Sequence, residues 1–246
     1  RQIHREKKYV PGFTSRLRKI FLAQRNEALK RLRMVVPRAR VSAGDVFTEN
    51  EWVEEFTKTI EPFRVTAFTS IVTDTLATLG GVTDFVFVET QAAVLREQGA
   101  QLVKHVNRTT QKNLASTLAD GTLNGESLSQ LEKRIKGVFD ARRHQARTIA
   151  RTEVLKASQS AQKTAFKESG VVAQNRWNTS LDDRVRDSHG GASGGTVDGQ
   201  VRGLDEPFQL GDGELADAPG IGAGGATLSA GNSINCRCFL TPVRLQ

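Results

Sequence analysis

The sequence predicts an α+β protein: a mostly helical N-terminal region is followed by a small α+β module with a long helix, a short antiparallel sheet and Gly-rich loops. The first observation behind this prediction is that apolar residues recur at helical spacing in most segments before Gly170. The second is that strand-like segments at 171–180 and 233–245 flank residues 186–232, which hold thirteen of the twenty-two glycines.

The N-terminal region is predicted to contain two helical blocks. The first is amphipathic and runs over residues 14–35, with Thr14 or Ser15 as its cap and Pro37 as its stop. Its apolar residues recur at helical spacing: Leu17, Phe21, Ala28, Leu32 and Val35. The second block runs from residue 50 to the glycines at 80 and 81, and we expect Pro62 to bend or break it.

Three further helices are predicted after a short β-prone piece at 82–88. One covers 91–121 and ends at Asp120-Gly121, and a shorter one covers 126–139, where Ser129 and Glu132 have capping-box spacing. Asp140 is predicted to cap the longest helix, 141–169, which Gly170 ends. We therefore divide the chain into a helical region with a basic N-terminal arm, 1–139, and a C-terminal module, 140–246.

The C-terminal module is predicted to close on itself through a long-range strand pair. The segments 171–180 and 233–245 are about sixty residues apart, so their pairing would be antiparallel and non-local. Alternation along the second segment places Cys236, Cys238 and Leu240 on one face of a strand. The glycine-rich stretch between the segments is predicted to be loops.

The positive charge is concentrated at the N-terminus. Residues 1–40 contain thirteen Lys and Arg against two Glu, a balance of +11, whereas the whole chain carries +8. Such an arm favours nucleic acid, an acidic protein surface or an anionic membrane, and a solvated helix with excess charge is the alternative. The candidate contact residues are Arg16, Arg18, Lys19, Arg25, Lys30, Arg31 and Arg33.

Membrane insertion and disulfide bonding are not expected. No apolar run approaches the roughly eighteen residues that cross a bilayer, and the N-terminus lacks the apolar core of a secretion signal, so we expect a soluble protein. The only two cysteines stand at i and i+2, where a direct bond would be strained. A reducing compartment follows from this cysteine usage.

An arginine pair on the longest predicted helix is the main candidate for polar chemistry. Arg147 and Arg151 stand at i and i+4, so both guanidinium groups lie on one face. Carboxylates at Asp182, Asp183 and Asp187 are candidate partners, which predicts a network that fixes helix to loop. The alternative is a catalytic or anion-binding site built from Arg147, Arg151, Glu153, Asp183 and His189.

Metal binding and nucleophilic catalysis are weighed and not favoured. His189, Cys236 and Cys238 supply only three zinc ligands, and the cysteines lack the usual spacing of two to four residues. Ser188 beside His189 has no nucleophile elbow around it, and nothing in the sequence lowers the pKa of Cys238. We therefore predict no cofactor, no metal and no catalytic residue, with zinc as the minority alternative and the cysteines as core residues.

Three motifs carry a family resemblance: "ARTE" on a helix, then "RWNTSLDDRVRDSH", then "NCRC". Their order and spacing over residues 141–242 resemble the C-terminal domain of phage head morphogenesis proteins of the Mu protein F-like family, also called minor head proteins. The resemblance implies a structural virion component at the portal vertex inside the head. It would aid head assembly, DNA packaging or ejection, and would reach the virion from the host cytoplasm.

The resemblance also implies partners and site residues. The partners are the portal protein, neighbouring capsid or head proteins and packaged double-stranded DNA bound non-specifically, with no membrane involved during assembly. A network for folding and docking would comprise Arg147, Arg151, Glu153, Trp177, Asp183, Arg184, His189, Asn235, Cys236 and Cys238. Some relatives have a cysteine pair where this chain has Asp187 and Ser188, and this departure also argues against a metal.

Two rival functions stay open at this point. One is an enzyme or effector delivered with the DNA, which would use the Arg, Glu and His cluster. The other is a general nucleic-acid-binding protein that acts through residues 1–40.

Overall fold

The computed structural model describes residues 2–35, 41–80, 89–180, 182–190 and 197–244. The helices are α1 Gln2–Val35, α2 Ala43–Val46, α3 Val53–Leu79, α4 Glu89–Leu123, α5 Leu128–Glu168 and α6 Ala230–Ser233. The strands are β1 Val172–Asn178, β2 Val201–Gly203, β3 Phe208–Gln209, β4 Leu215–Ala218, β5 Ile221–Gly222 and β6 Phe239–Arg244. The α+β fold class is confirmed; the β-prone piece at 82–88 and the stop at Pro37 lie outside the described residues.

The first two long helices continue through their prolines. Helix α1 begins at Gln2, twelve residues before the predicted start, and contains Pro11; α3 contains Pro62. A proline inside a helix costs about 3 kcal/mol or more. Buried side chains stand within a few residues of each proline, Val10 and Phe13 near Pro11 and Ile60 near Pro62, so burial offsets that cost. The prediction of a break at Pro62 is wrong.

Helix α4 is longer than predicted and α5 joins two predicted helices. Helix α4 passes Gly121 and ends at Leu123, while α5 is one helix of 41 residues. Its capping box is Ser127 with Gln130, not Ser129 with Glu132: the Ser127 backbone N–H donates to Gln130 Oε1 at 2.8 Å. The Gln130 N–H donates back to Ser127 Oγ at 3.4 Å.

The predicted helix start at Asp140 is also wrong. The residue lies inside α5, where its carboxylate meets Arg143 one turn on, at 3.4 Å. The apolar stripe continues across it, since Ile135, Phe139 and Ala146 are fully buried. A capping residue cannot end a helix whose buried face is continuous. The predicted domain division at 139 and 140 falls inside this helix and stays a prediction.

The predicted long-range strand pair is present. Strand β1 pairs antiparallel with β6, with Arg176 opposite Thr241 and Trp177 opposite Leu240, and β2 lies on the other side of β1. Strand β6 begins only at Phe239, so the two cysteines precede it. They are nevertheless buried while Arg237 between them is half-buried, so the alternation of sides was predicted correctly.

The glycine-rich segment contains a second antiparallel sheet, of order β3-β4-β5. The prediction of loops throughout residues 186–232 is therefore wrong for the part that the structure describes from 197 on. One glycine shows why so many are compatible with order: a Cβ at Gly222 would lie 2.4 Å from the Ala226 carbonyl oxygen. Glycine here permits close backbone approach rather than flexibility.

The described chain forms two compact units. The mixed unit comprises 1–10, 64–88 and 148–246, and the helical unit comprises 11–63 and 89–147. The mixed unit's core includes Phe166, Trp177, Phe208 and Leu240. The helical unit's core includes Leu32, Phe47, Leu114 and Phe139. Among the described residues, the helices include none with the length and apolar character that crossing a bilayer requires.

Candidate functional site

Three side chains of types that can bind a metal ion meet in the core of the mixed unit. His189 Nδ1 lies 3.6 Å from Cys236 Sγ and 3.4 Å from Cys238 Sγ. The three atoms are all within 4.8 Å of one another. Exposure is 1% for His189, 3% for Cys236 and 2% for Cys238, so solvent has almost no access to the cluster. We call these three residues the His-Cys-Cys cluster.

Loop contacts fix the position of His189. It ends a short 3-10 turn, Asp187–His189, which Gly190 terminates with a left-handed φ of 112°. The Gly211 N–H donates to the Ser188 carbonyl at 2.8 Å, and a Cβ at Gly211 would lie 3.1 Å from Ser188 Cα. Trp177 meets the His189 ring edge-on, with centroids 5.7 Å apart. The imidazole is therefore held by packing on several sides.

Helix α5 positions the segment that carries the cysteines. The Asn235 backbone N–H donates to Thr152 Oγ1 at 3.1 Å, and Asn235 has a left-handed φ of 54°. The Leu240 N–H donates to Gln159 Oε1 at 3.3 Å. Since Thr152 and Gln159 are two turns apart on one helix face, they hold the segment before and after the cysteines.

The two thiols have opposite pKa shifts. A hydrogen bond from Cys238 lowers the pKa of Cys236, and His189 lowers it further. The same contact with Cys236, together with burial, raises the pKa of Cys238. Without a cation, the two thiols thus hold one negative charge more readily than two.

On the neighbouring loop, the Asn232 amide donates a hydrogen bond to Asp212 at 2.6 Å and lowers the pKa of the Asp212 carboxyl.

The "ARTE" residues make ion pairs inside the mixed unit. Arg151 Nη2 lies 3.3 Å from Glu6 Oε2 of α1. Glu153 Oε2 lies 3.5 Å from Arg64 Nη1 of α3, and both residues are buried, with exposures of 4% and 3%. Lys156 Nζ approaches the other oxygen of Glu153 at 3.3 Å. Arg151 and Glu153 therefore connect α5 to two other helices of this unit.

The predicted carboxylate partners of the arginines are placed differently. The acid at Asp182 pairs with Arg237 instead, and Arg151 pairs with Glu6. Arg147, Asp183 and Arg184 are exposed, as is Asn235. The structure thus brings Trp177 and the His-Cys-Cys cluster together. The alternative site of Arg147, Arg151, Glu153, Asp183 and His189 does not assemble among the described residues.

Sequence reasoning missed several polar residues that hold this region. Asn175 is fully buried, and its amide donates to the carbonyls of Arg202 and Gly203, both at 3.2 Å. Gln159 and its neighbour Ser158 are also fully buried on α5. The sequence pattern contained a signal for the two helix residues: Ser158 and Gln159 stand on the same helical stripe as Val154 and Leu155, where apolar residues are expected.

The predicted basic arm is a packed helix in the structure. Leu17, Phe21 and Leu32 of α1 are fully buried, so the apolar face of this helix is covered within the chain. Carboxylates lie near Arg25 (Asp140, 3.8 Å), Lys30 (Glu27, 3.9 Å), Arg31 (Glu27, 2.9 Å) and Arg33 (Glu132, 2.8 Å). Arg31 also binds Glu51, which raises its pKa.

The other candidate contact residues of α1 face solvent. Arg16, Arg18 and Lys19 are exposed, and Arg16 lies over the Phe63 ring at 5.1 Å. Lys30 and Arg33 are exposed as well, despite their carboxylate neighbours. These five positions define what we call the basic face of α1. Contact of this face with an acidic partner stays a prediction.

Comparison with known proteins gives a consistent result. The model of the family described as "Phage Mu protein F like protein" matches residues 112–241, which is more than half of the chain. The chain is 27% identical over 203 residues to the uncharacterized protein YqbB of Bacillus subtilis (strain 168), covering 81% of this chain and 64% of YqbB.

A second relative is a phage head protein. The chain is 31% identical over 152 residues to the minor head protein GP7 of Bacillus phage SPP1, covering 60% of this chain and 42% of GP7. The matched regions thus span less than two thirds of either relative. No solved structure matches the chain. From the family match and the order of its motifs, the chain belongs to the phage Mu protein F-like family.

Proposed function

We propose that this chain acts as a structural, non-enzymatic minor head protein of a tailed phage, associated with the portal vertex inside the head and aiding head assembly, DNA packaging or ejection. Family membership and the likeness to the SPP1 minor head protein GP7 support a structural role in a phage head. The portal, the neighbouring head proteins and the packaged DNA are the proposed partners.

The observation that carries this proposal is the burial of five of the ten residues in the network that the resemblance implies, and we call these five the family-pattern residues. They are Glu153, Trp177, His189, Cys236 and Cys238, each at most 4% exposed. A catalytic group must reach its substrate, whereas a group that holds a scaffold together works best when solvent is excluded. The five family-pattern residues therefore favour a role inside the fold, whereas Arg147, Asp183, Arg184 and Asn235 are exposed.

Exposed charges of the chain supply candidate docking positions. In the mixed unit, Asp183 and Arg184 are exposed in the segment after β1. In the helical unit, the basic face of α1 presents five cationic side chains to solvent. Such a face suits DNA phosphates, which attract Lys and Arg in a salt-dependent and sequence-independent manner.

The experiment that tests this proposal is co-expression with the portal protein encoded in the same genome. The mass of any complex is measured by light scattering at low and at high salt. A complex of defined mass that persists at high salt is the expected result, because protein docking involves apolar contact that salt does not screen. A chain that stays free of portal at both salt concentrations would contradict the proposed portal association.

General nucleic-acid binding is the second candidate, and the basic face of α1 is the observation that favours it. The matched variants are Arg18→Ser with Lys19→Ser, and Lys104→Ser with Arg108→Ser on α4, which remove the same exposed charge. Duplex DNA affinity is measured over a range of salt. If DNA binding is the main function, only the Arg18→Ser, Lys19→Ser variant should reduce the slope of log affinity against log salt concentration. The expected reduction is about one released counterion per lost contact.

The DNA-delivered enzyme or effector has a separate test. A ligand that binds the native state must raise its melting temperature. Nucleotides that stabilise the wild-type chain, and that no longer do so in an Arg151→Ala variant, would point to an enzyme or effector. Equal melting curves with and without nucleotides are the result that the structural role predicts.

A further inference from the structure

We propose that His189, Cys236 and Cys238 bind one zinc ion through His189 Nδ1 and the two sulfur atoms. This proposal reverses the expectation of a metal-free cysteine pair. The sequence offered only three ligands at unusual spacing, whereas the structure shows that these three converge from both ends of the glycine-rich segment.

The separations of the three atoms have the size of a zinc coordination shell. Zinc bonds of about 2.3 Å to sulfur and 2.0–2.1 Å to nitrogen, at tetrahedral angles, place sulfur and nitrogen about 3.5 Å apart. The observed separations are 3.4 Å and 3.6 Å. Two thiolates and a neutral imidazole also suit a thiophilic divalent ion, and the buried site would then carry no net charge.

Hydrogen bonding does not account for the arrangement equally well. A neutral imidazole nitrogen either donates one proton or accepts with one lone pair, so Nδ1 serves one sulfur at a time. Yet both sulfur atoms converge on it. One zinc ion would bind Nδ1 and both sulfur atoms at once.

The site would stabilise the fold rather than perform chemistry. The ligands are at least nine-tenths buried, so a substrate could not reach the metal. His189 and Cys236 are 47 positions apart, and a metal between them would close the glycine-rich loop. Thr152, Gln159 and Gly211 already hold the two ends in place, so the site is largely formed before the ion arrives.

The test begins with the metal content of the full chain, purified under reducing conditions without chelator. Elemental analysis should find about one zinc ion per chain. The Cys236→Ser, Cys238→Ser and His189→Asn variants should each carry far less. His105→Asn, on an exposed position of α4, is the matched histidine control and should keep its zinc.

A second measurement uses the wild-type chain, so that its result does not depend on whether a ligand variant folds. Chelation should lower the melting temperature of the wild type, and added zinc should restore it. Cobalt substitution should give the intense visible absorption of a tetrahedral thiolate site. Wild-type protein that contains no zinc, and whose melting temperature is the same in chelator and in excess zinc, would overturn the proposal. So would zinc content that survives all three ligand substitutions.

Discussion

The two units of the chain differ in the polar side chains that they bury. Aromatic rings pair in both units: the centroids are 6.2 Å apart for Phe21–Phe56 and 6.3 Å for Phe47–Phe139 in the helical unit, and 5.3 Å for Trp177–Phe208 in the mixed unit. The mixed unit buries the Arg64–Glu153 ion pair, the amides of Gln159 and Asn175, and the His-Cys-Cys cluster. Among the described residues, the helical unit also buries the Gln24–Asn107 amide pair, at 3.1 Å, but it is held mainly by apolar packing. The mixed unit combines apolar packing with a larger number of buried polar side chains.

Backbone hydrogen bonding explains this difference. A long helix satisfies its own backbone groups except at the ends, so the helical unit needs from its side chains mainly an apolar interior. Short strands and glycine-rich loops leave many backbone groups unpaired, and these must find partners elsewhere. In the mixed unit, side chains such as Asn175 and Gln159 supply those partners. A structural metal would extend the same strategy.

The largest effect should come from the apolar interior of the helical unit. Phe21→Ala removes a fully buried ring that lies edge-on to Phe56, and should lower the free energy of unfolding by about 3–5 kcal/mol. Leu22→Ala on the next position, which is 37% exposed, should cost less than about 1 kcal/mol. Denaturant unfolding of both variants checks this, and equal losses would show that the interior is not specifically packed.

A smaller loss should follow when a buried polar contact of the mixed unit is removed. Gln159→Leu leaves the Leu240 N–H without its acceptor in a buried setting, which should cost about 1–3 kcal/mol. Gln145→Leu makes the same change on an exposed position of α5 and should stay within about 0.5 kcal/mol. If both changes are neutral, the mixed unit does not depend on such contacts.

The capping box of α5 should contribute about 1 kcal/mol. Ser127→Ala removes the hydroxyl that accepts from the Gln130 N–H, whereas Ser129→Ala changes a residue that lies inside the helix. Thermal unfolding should show destabilisation for the first variant and little change for the second. A larger loss of stability for Ser129→Ala than for Ser127→Ala would instead support Ser129 as the cap residue, as the sequence pattern predicted.

The smallest expected effect is a gain of stability in the helical unit. Gly137 is an exposed position inside α5 where a Cβ would meet nothing within 4 Å, so Gly137→Ala should stabilise by about 0.5–1 kcal/mol. At Gly121 of α4, a Cβ would lie 2.6 Å from Leu131 Cδ2, so Gly121→Ala should instead destabilise. Melting curves of the two alanine variants test this contrast of sign.

Hydrophobic periodicity is local information, and it was enough to predict the fold class and the two segments that pair as β1 and β6. The sequence overestimated local signals for helix boundaries. Pro62, Gly121 and Asp140 carry such signals, and a continuous buried face outweighed each of them. The second sheet was missed because its strands are two to four residues long and set by tertiary contacts.

The candidate site was predicted in part. Periodicity placed Cys236 and Cys238 on one buried side, and the motif order singled out His189. Convergence of the three depends on a loop of 47 positions, which no spacing rule encodes. The partner of Arg151 was also out of reach, since Glu6 stands at the far end of the chain and belongs to no motif.

The claim that the family-pattern residues work inside the fold is tested most directly at Glu153. The measurement is the free energy of unfolding of Glu153→Gln, beside Asp183→Asn as the matched change on an exposed carboxylate. We expect a loss of about 3 kcal/mol or more for Glu153→Gln, because the buried Arg64 guanidinium loses the carboxylate charge that lies 3.5 Å away, and almost none for Asp183→Asn. A Glu153→Gln chain that unfolds like the wild type but no longer binds the portal would contradict the claim.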